Sequence, residues 1–95
     1  MVIYKYALGI TDTQIITIAG LVKVLSVAVK DEYDLVLYCI VDPNVFEFTD
    51  ISVFVIGTGN DFELSNSSKF LGTHLTHHGT FVRHVWYDFT DNLNG

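Results

Sequence analysis

Runs of valine, isoleucine, threonine and aromatic residues recur along this chain, and polar or glycine-containing breaks cut each run off within ten residues. No apolar pattern of helical period exceeds two turns. Three alanines stand against 12 valines, 8 isoleucines and 9 threonines. β-Branched side chains lose rotamers in a helix and fit a pleated surface, so the composition points to strands. A chain of 95 residues fits one domain, 1–95, and leaves no room for two. Hydrophobic residues at 49% and charged residues at 17% give enough apolar side chain to offset the entropy of ordering.

The breaks predict seven strands over residues 2–10, 14–18, 21–30, 35–41, 50–57, 69–76 and 80–89. Residues 31–34 are a short polar link, which makes the third and fourth strands a hairpin. Ala19-Gly20 breaks the second strand. Pro43 stops the fourth, because it lacks a ladder donor and biases Asp42 toward an extended conformation. His77-His78-Gly79 reads as a turn, with Gly79 free to take positive φ. Residues 58–68 are the longest polar stretch, a loop with room for a short helical turn near 61–64. Residues 91–95 read as a frayed tail. Short strands with mostly short links predict an all-β domain, an antiparallel meander closing as a small sandwich or barrel.

Both faces of the central strands are apolar. Strict alternation puts Leu21, Leu25, Val27 and Val29 on one face of the third strand, and Val22, Val24 and Ala28 on the other. In the fourth, Leu35, Leu37, Cys39 and Val41 oppose Val36, Tyr38 and Ile40. A sheet wetted on one side alternates apolar with polar, and a domain this small has one core to fill. A second copy covering one face, in a dimer or tetramer, is therefore expected; the other reading is a tightly closed sandwich with no partner.

Charge narrows the partners. Five basic residues against eleven acidic ones, a net charge of −6, disfavour a nucleic-acid polymer and an anionic membrane surface. A small anion with one or two phosphates needs only one local cluster of donors and stays open. The single cysteine, Cys39, cannot close an internal disulfide and reads as a buried hydrophobe in a reducing compartment. No signal peptide and no apolar run of membrane-spanning length stands out, so a cytoplasmic location is expected.

Few residues carry chemistry. His74, His77, His78 and His84 cluster late, but no cysteine or adjacent carboxylate completes a ligand set, so no metal site and no cofactor is expected. His74 with His84 is the one plausible imidazole pair for phosphodiester cleavage. No nucleophile elbow is present, and an enzyme is not expected. Gly57-Thr58-Gly59-Asn60 follows a strand and lets backbone approach a ligand; it also reads as an ordinary loop start. The last strand, FVRHVWYDF, offers Arg83 as a phosphate fork and Trp86 and Tyr87 as stacking faces. Alternation sets Arg83 with Tyr87 on one face and His84 with Trp86 on the other. Tyr4, beside Lys5 and Tyr6, is a weaker set of the same kind.

The strings KYALGITDTQ, LVKVLSVAVK, LVLYCIVDP, FVIGTGN, FLGTHL and FVRHVWYDF, in this order, resemble a widespread family of small uncharacterised-domain proteins encoded by bacteriophages. The resemblance runs from about Ile3 to Tyr87. Arg83 departs from it, standing where the family carries a more apolar residue. The chain also resembles the phage anti-CBASS sponge proteins, which bind a host cyclic dinucleotide signal and hold it in an oligomer without cleaving it. What the resemblance implies is immune evasion in the host cytoplasm: sequestration of a cyclic dinucleotide such as cyclic GMP-AMP in a pocket at an oligomer interface. The alternatives are a module that inhibits a host protein through an apolar surface, or a minor structural part of the virion.

Overall fold

The computed structural model describes residues 1–9 and 11–90. The strands are β1 (Val2–Ala7), β2 (Thr13–Ala19), β3 (Leu21–Lys30), β4 (Asp34–Val41), β5 (Phe48–Gly57), β6 (Lys69–Thr76) and β7 (Phe81–Phe89). They form two sheets, ordered β1-β4-β3 and β2-β5-β7-β6, with every pairing antiparallel. This is the expected all-β, seven-stranded sandwich, and the sheets do not close into a barrel. The expected tail at 91–95 and the strand position at Ile10 lie outside the described residues.

Strand order departs from a simple meander. Only β3–β4 and β6–β7 pair as neighbours in the chain. The physical reason is that three links, β1 to β2, β2 to β3 and β4 to β5, each carry the chain from one sheet to the other. The tightest is a single residue, Gly20, at φ +66°. Its N–H donates to the Glu47 carbonyl at 2.9 Å, and its own carbonyl accepts from the Asp42 N–H at 2.8 Å. A Cβ on Gly20 would stand 2.2 Å from the Asp42 carbonyl oxygen. Both the conformation and the space therefore demand glycine. The β2–β3 corner is thereby locked onto the β4–β5 crossing.

The face assignment read from β3 is corrected. Register shifts at Leu21/Lys23 and Val24/Ser26 insert two extra residues. Each extra residue flips the parity of those around it. Leu21, Val24, Val27 and Val29 consequently oppose Val41, Cys39, Leu37 and Leu35 and face the core. Val22 and Leu25 are left 49% and 37% exposed. In β4 the alternation holds as read.

The core lies between the sheets. Ile18, Leu37, Ile51, Val53 and Val85 are fully buried in it. Each such aliphatic side chain contributes roughly 1.5–3 kcal/mol by leaving water. Two hairpin turns meet at one end of the sandwich. Asp31 and Glu32 in one, His77 and His78 in the other, are the four non-glycine residues at positive φ among those described. The His77 N–H donates to the Glu32 carbonyl at 2.6 Å, which ties the two sheets together there. The expected turn at His77-His78-Gly79 is present; residues 61–64 form no helical turn.

Cys39 is fully buried at the centre of β4, and burial pushes its thiol up to about 11. Burial also raises the hydroxyls of Tyr6 and Tyr87. For an acid whose folded value lies above its unfolded one, stabilisation is complete below the unfolded value and is lost as pH rises through the folded value. Stability is expected to fall between the ordinary thiol range and about pH 11, and Cys39 is expected to resist a thiol reagent until the chain unfolds. Urea titrations at rising pH, with labelling at each denaturant concentration, check both.

Candidate functional site

A cleft opens on the outer face of the four-stranded sheet, where the chain leaves β5. Gly57 ends that strand, and the Asn60 N–H turns back to its carbonyl at 3.1 Å. Gly59, at φ +89°, lets the turn close. The chain from 58 to 68 then lies across the outer side of the sheet. Its far end is anchored on a buried carboxylate. Ser65, Ser67 and Ser68 donate to Asp88 Oδ2 at 2.5, 2.7 and 3.1 Å, and the Phe89 N–H donates to Oδ1 at 2.8 Å. Asp88 is 1% exposed and stands opposite Ser52, which is also buried. A carboxylate taken out of water needs such a set of donors.

The near end is held by an imidazole. Thr58 Oγ1 lies 2.8 Å from His84 Nε2, and Thr73 Oγ1 lies 2.9 Å from Nδ1. Both ring nitrogens are thus engaged and the ring is fixed. Between the two anchors, Trp86 and Phe70 pair across β6 and β7 with centroids 4.8 Å apart, tilted at 48°. Together with Thr58, Gly59, Phe62 and His84 they line a cavity of about 340 Å³. A second cavity, of about 210 Å³, continues past Phe62 and carries Asp12, Asp61 and Glu63. No lysine or arginine among the described residues lines either one.

Five of the residues singled out in the sequence come together here: Gly57, Thr58, Gly59, Asn60 and Trp86. Three do not. Arg83 projects from the opposite face of β7, where its Nε lies 3.4 Å from Thr76 Oγ1 and its guanidinium carbon 5.4 Å from the centre of the Phe81 ring. Tyr87 shares that inward face and is buried in the core. Tyr4 lies on β1, in the other sheet. The expected split of Arg83 and Tyr87 from His84 and Trp86 holds, and it removes the guanidinium from the cleft.

The histidines do not converge. His74 pairs in register with Arg83, and His84 with Thr73, so they point to opposite faces. They do not flank a common phosphate. His74 Nε2 lies 3.0 Å from the Leu71 carbonyl. His78 lies between Glu32 and the Tyr33 hydroxyl at the far turn. Among the described residues no group of three or more His, Cys, Asp or Glu side chains is placed to hold a metal ion.

Sequence reading missed Phe62, Phe70 and Asp88. Phe70 reaches Trp86 only through the register shift between Phe70 and Gly72; a regular hairpin would set Leu71 there, so alternation carries no signal for it. Phe62 and Asp88 depend on how an 11-residue polar loop folds back, which periodicity does not encode.

One family matches the chain, over residues 1–93: a domain of unknown function (DUF7352). No curated protein matches it, and no solved structure matches it.

The Asp88 anchor generates a direct expectation. Asp88→Ala removes the acceptor shared by three serines and is expected to lower stability by about 2 kcal/mol. It also releases the loop and wets Trp86, the only tryptophan. A urea titration followed by tryptophan emission checks both, as an earlier midpoint and a red-shifted folded baseline.

Proposed function

The chain belongs to the DUF7352 family, and from that premise we propose that it is a non-catalytic binding protein that sequesters a host cyclic dinucleotide for a bacteriophage, in the host cytoplasm and as a homo-oligomer. The observation that carries this reading is the cleft in which Trp86 and Phe70 stand beside the Gly57–Asn60 turn. A tryptophan face holds a base at ~1–3 kcal/mol, whatever the base. The glycines at 57 and 59 let the loop backbone come close to a flat ligand. A cavity of about 340 Å³ falls within the ordinary range of small-molecule sites.

The phosphates of such a ligand meet a different environment. Asp12, Asp61 and Glu63 beside the cleft repel them. Arg83, on the inward face, does not reach them. The reading therefore assigns the cleft to a base and requires that cations come from elsewhere. A second reading, inhibition of a host protein through an apolar surface, is favoured by Phe46, on the β4–β5 link, and Phe48, at the start of β5, which are 81% and 72% exposed.

Trp86 reports on its own site. Titration with cyclic GMP-AMP is expected to quench its emission, and heating the complex is expected to return the nucleotide intact by mass spectrometry. Phe70→Ala is expected to weaken binding roughly tenfold, matching the loss of one stacking contact. Arg83→Ala, on the other face of the sheet, is expected to leave it unchanged. An emission spectrum indifferent to nucleotide up to millimolar concentration contradicts the proposal, and recovery of cleaved nucleotide makes the protein an enzyme.

A further inference from the structure

The two outer faces of the sandwich carry opposite charge. Pairing in the three-stranded sheet puts Lys5 beside Tyr38, Lys23 beside Ile40 and Lys30 beside Asp34, all pointing away from the core. These are three of the four lysines in a chain of net charge −6. Asp34, at the end of its strand, is the one carboxylate on that face among the described residues. Around the lysines stand Ile3 and the two bulge residues Val22 and Leu25, all exposed. Lys5 and Lys30 also flank a cavity of about 470 Å³ floored by Ala7 and Val36. The bulges that correct the register of β3 are thus what turn two large aliphatic side chains outward.

The opposite outer face, on the four-stranded sheet, has the inverse charge. Asp12, Asp61 and Glu63 surround Phe54 and Phe62 there, and Asp50 accepts a hydrogen bond from Thr17 at 2.6 Å nearby. Ile15 and Phe70 are exposed beside them.

We infer that the lysine-bearing face of one copy docks on the carboxylate-bearing face of a second copy, head to tail. Charge selects this geometry. A two-fold pairing of the basic face sets lysines against lysines, and like charges opposed in an interface are costly. The head-to-tail pairing sets them against carboxylates and covers apolar residues on both sides. Area permits it: the molecule measures 41 × 33 × 16 Å, and its broad face exceeds the ~800 Å² per partner that a stable interface buries. A heterologous contact of this kind closes into a ring or continues as a chain, so species larger than a dimer are expected. The neighbour's lysines then come to the side of the molecule where the cleft opens, and they are the cations that the nucleotide reading requires. That last consequence rests on the nucleotide reading; the docking itself does not.

The test is sedimentation velocity on the full chain without nucleotide, so that it is independent of ligand binding. The wild type is expected to associate, and to do so roughly tenfold more weakly at high than at low salt as ions screen the contact. The double variants K5E/K23E and D61K/E63K are each expected to sediment as monomers. All four positions are exposed, so the fold is expected to survive, with circular dichroism as the check. An equimolar mixture of the two variants re-creates opposite charges across the contact and is expected to restore association. A wild type that stays monomeric overturns the inference. So does association indifferent to salt and to both reversals, which indicates pairing through a strand edge or another surface.

Discussion

The fold turns on a backbone corner that admits no side chain. At Gly20 the chain passes from the four-stranded to the three-stranded sheet in one residue, against the Asp42 and Val45 carbonyls of the returning β4–β5 crossing. Its N–H and C=O bond to Glu47 and Asp42 across that crossing. Two links that carry the chain in opposite directions between the sheets are therefore fastened to each other. This fixes how β2 and β3 enter their sheets, and so which faces of β4 and β5 meet in the core. Without it, strands of adjacent sequence would be free to pair with each other as a flat meander.

What the corner builds is a thin sandwich with one thoroughly apolar interior and two unlike exteriors. Leu37, Cys39, Ile51, Val53 and Val85 fill the interior. Outside, the three-stranded sheet shows lysines among aliphatic residues, while the four-stranded sheet is crossed by a polar loop with acidic residues. The loop is the part that makes a cleft. It is pinned at Asp88 by serines and at His84 by Thr58, and Trp86 lies on the same strand as both anchors. One strand, β7, thus holds the loop on its outer face while its inner face, through Val85 and Tyr87, belongs to the core.

Much of this was legible in the residues. Strand number and placement follow from local chemistry: a β-branched run continues until Gly20, Pro43 or His77-His78-Gly79 interrupts it. Strand order was not legible, because pairing Tyr4 with Cys39 or Ile16 with Ile51 joins residues far apart in the chain. The parity of β3 misled for a subtler reason. VKVLSVAVK alternates well enough to hide two inserted residues, and only the partner strand reveals that Val24, not Leu25, faces the core. The same limits apply to the cleft. Gly57 to Asn60 stood out as a turn with room for a ligand, and Trp86 as a flat face. Their meeting depended on the β5–β7 pairing, which sets Trp86 opposite Phe54. Arg83 drew attention as the lone guanidinium, and strand parity alone sends it to the other side.

Amide hydrogen exchange at Gly20 and Asp42 tests the central constraint most directly. If the two crossings are fastened as described, both amides exchange as slowly as those of β4 and β5, although each belongs to a link between strands. Exchange of Gly20 and Asp42 at loop rates, while β4 and β5 stay protected, contradicts the account: the sheets would then be held by core packing and the His77–Glu32 hydrogen bond, with the corner free to open.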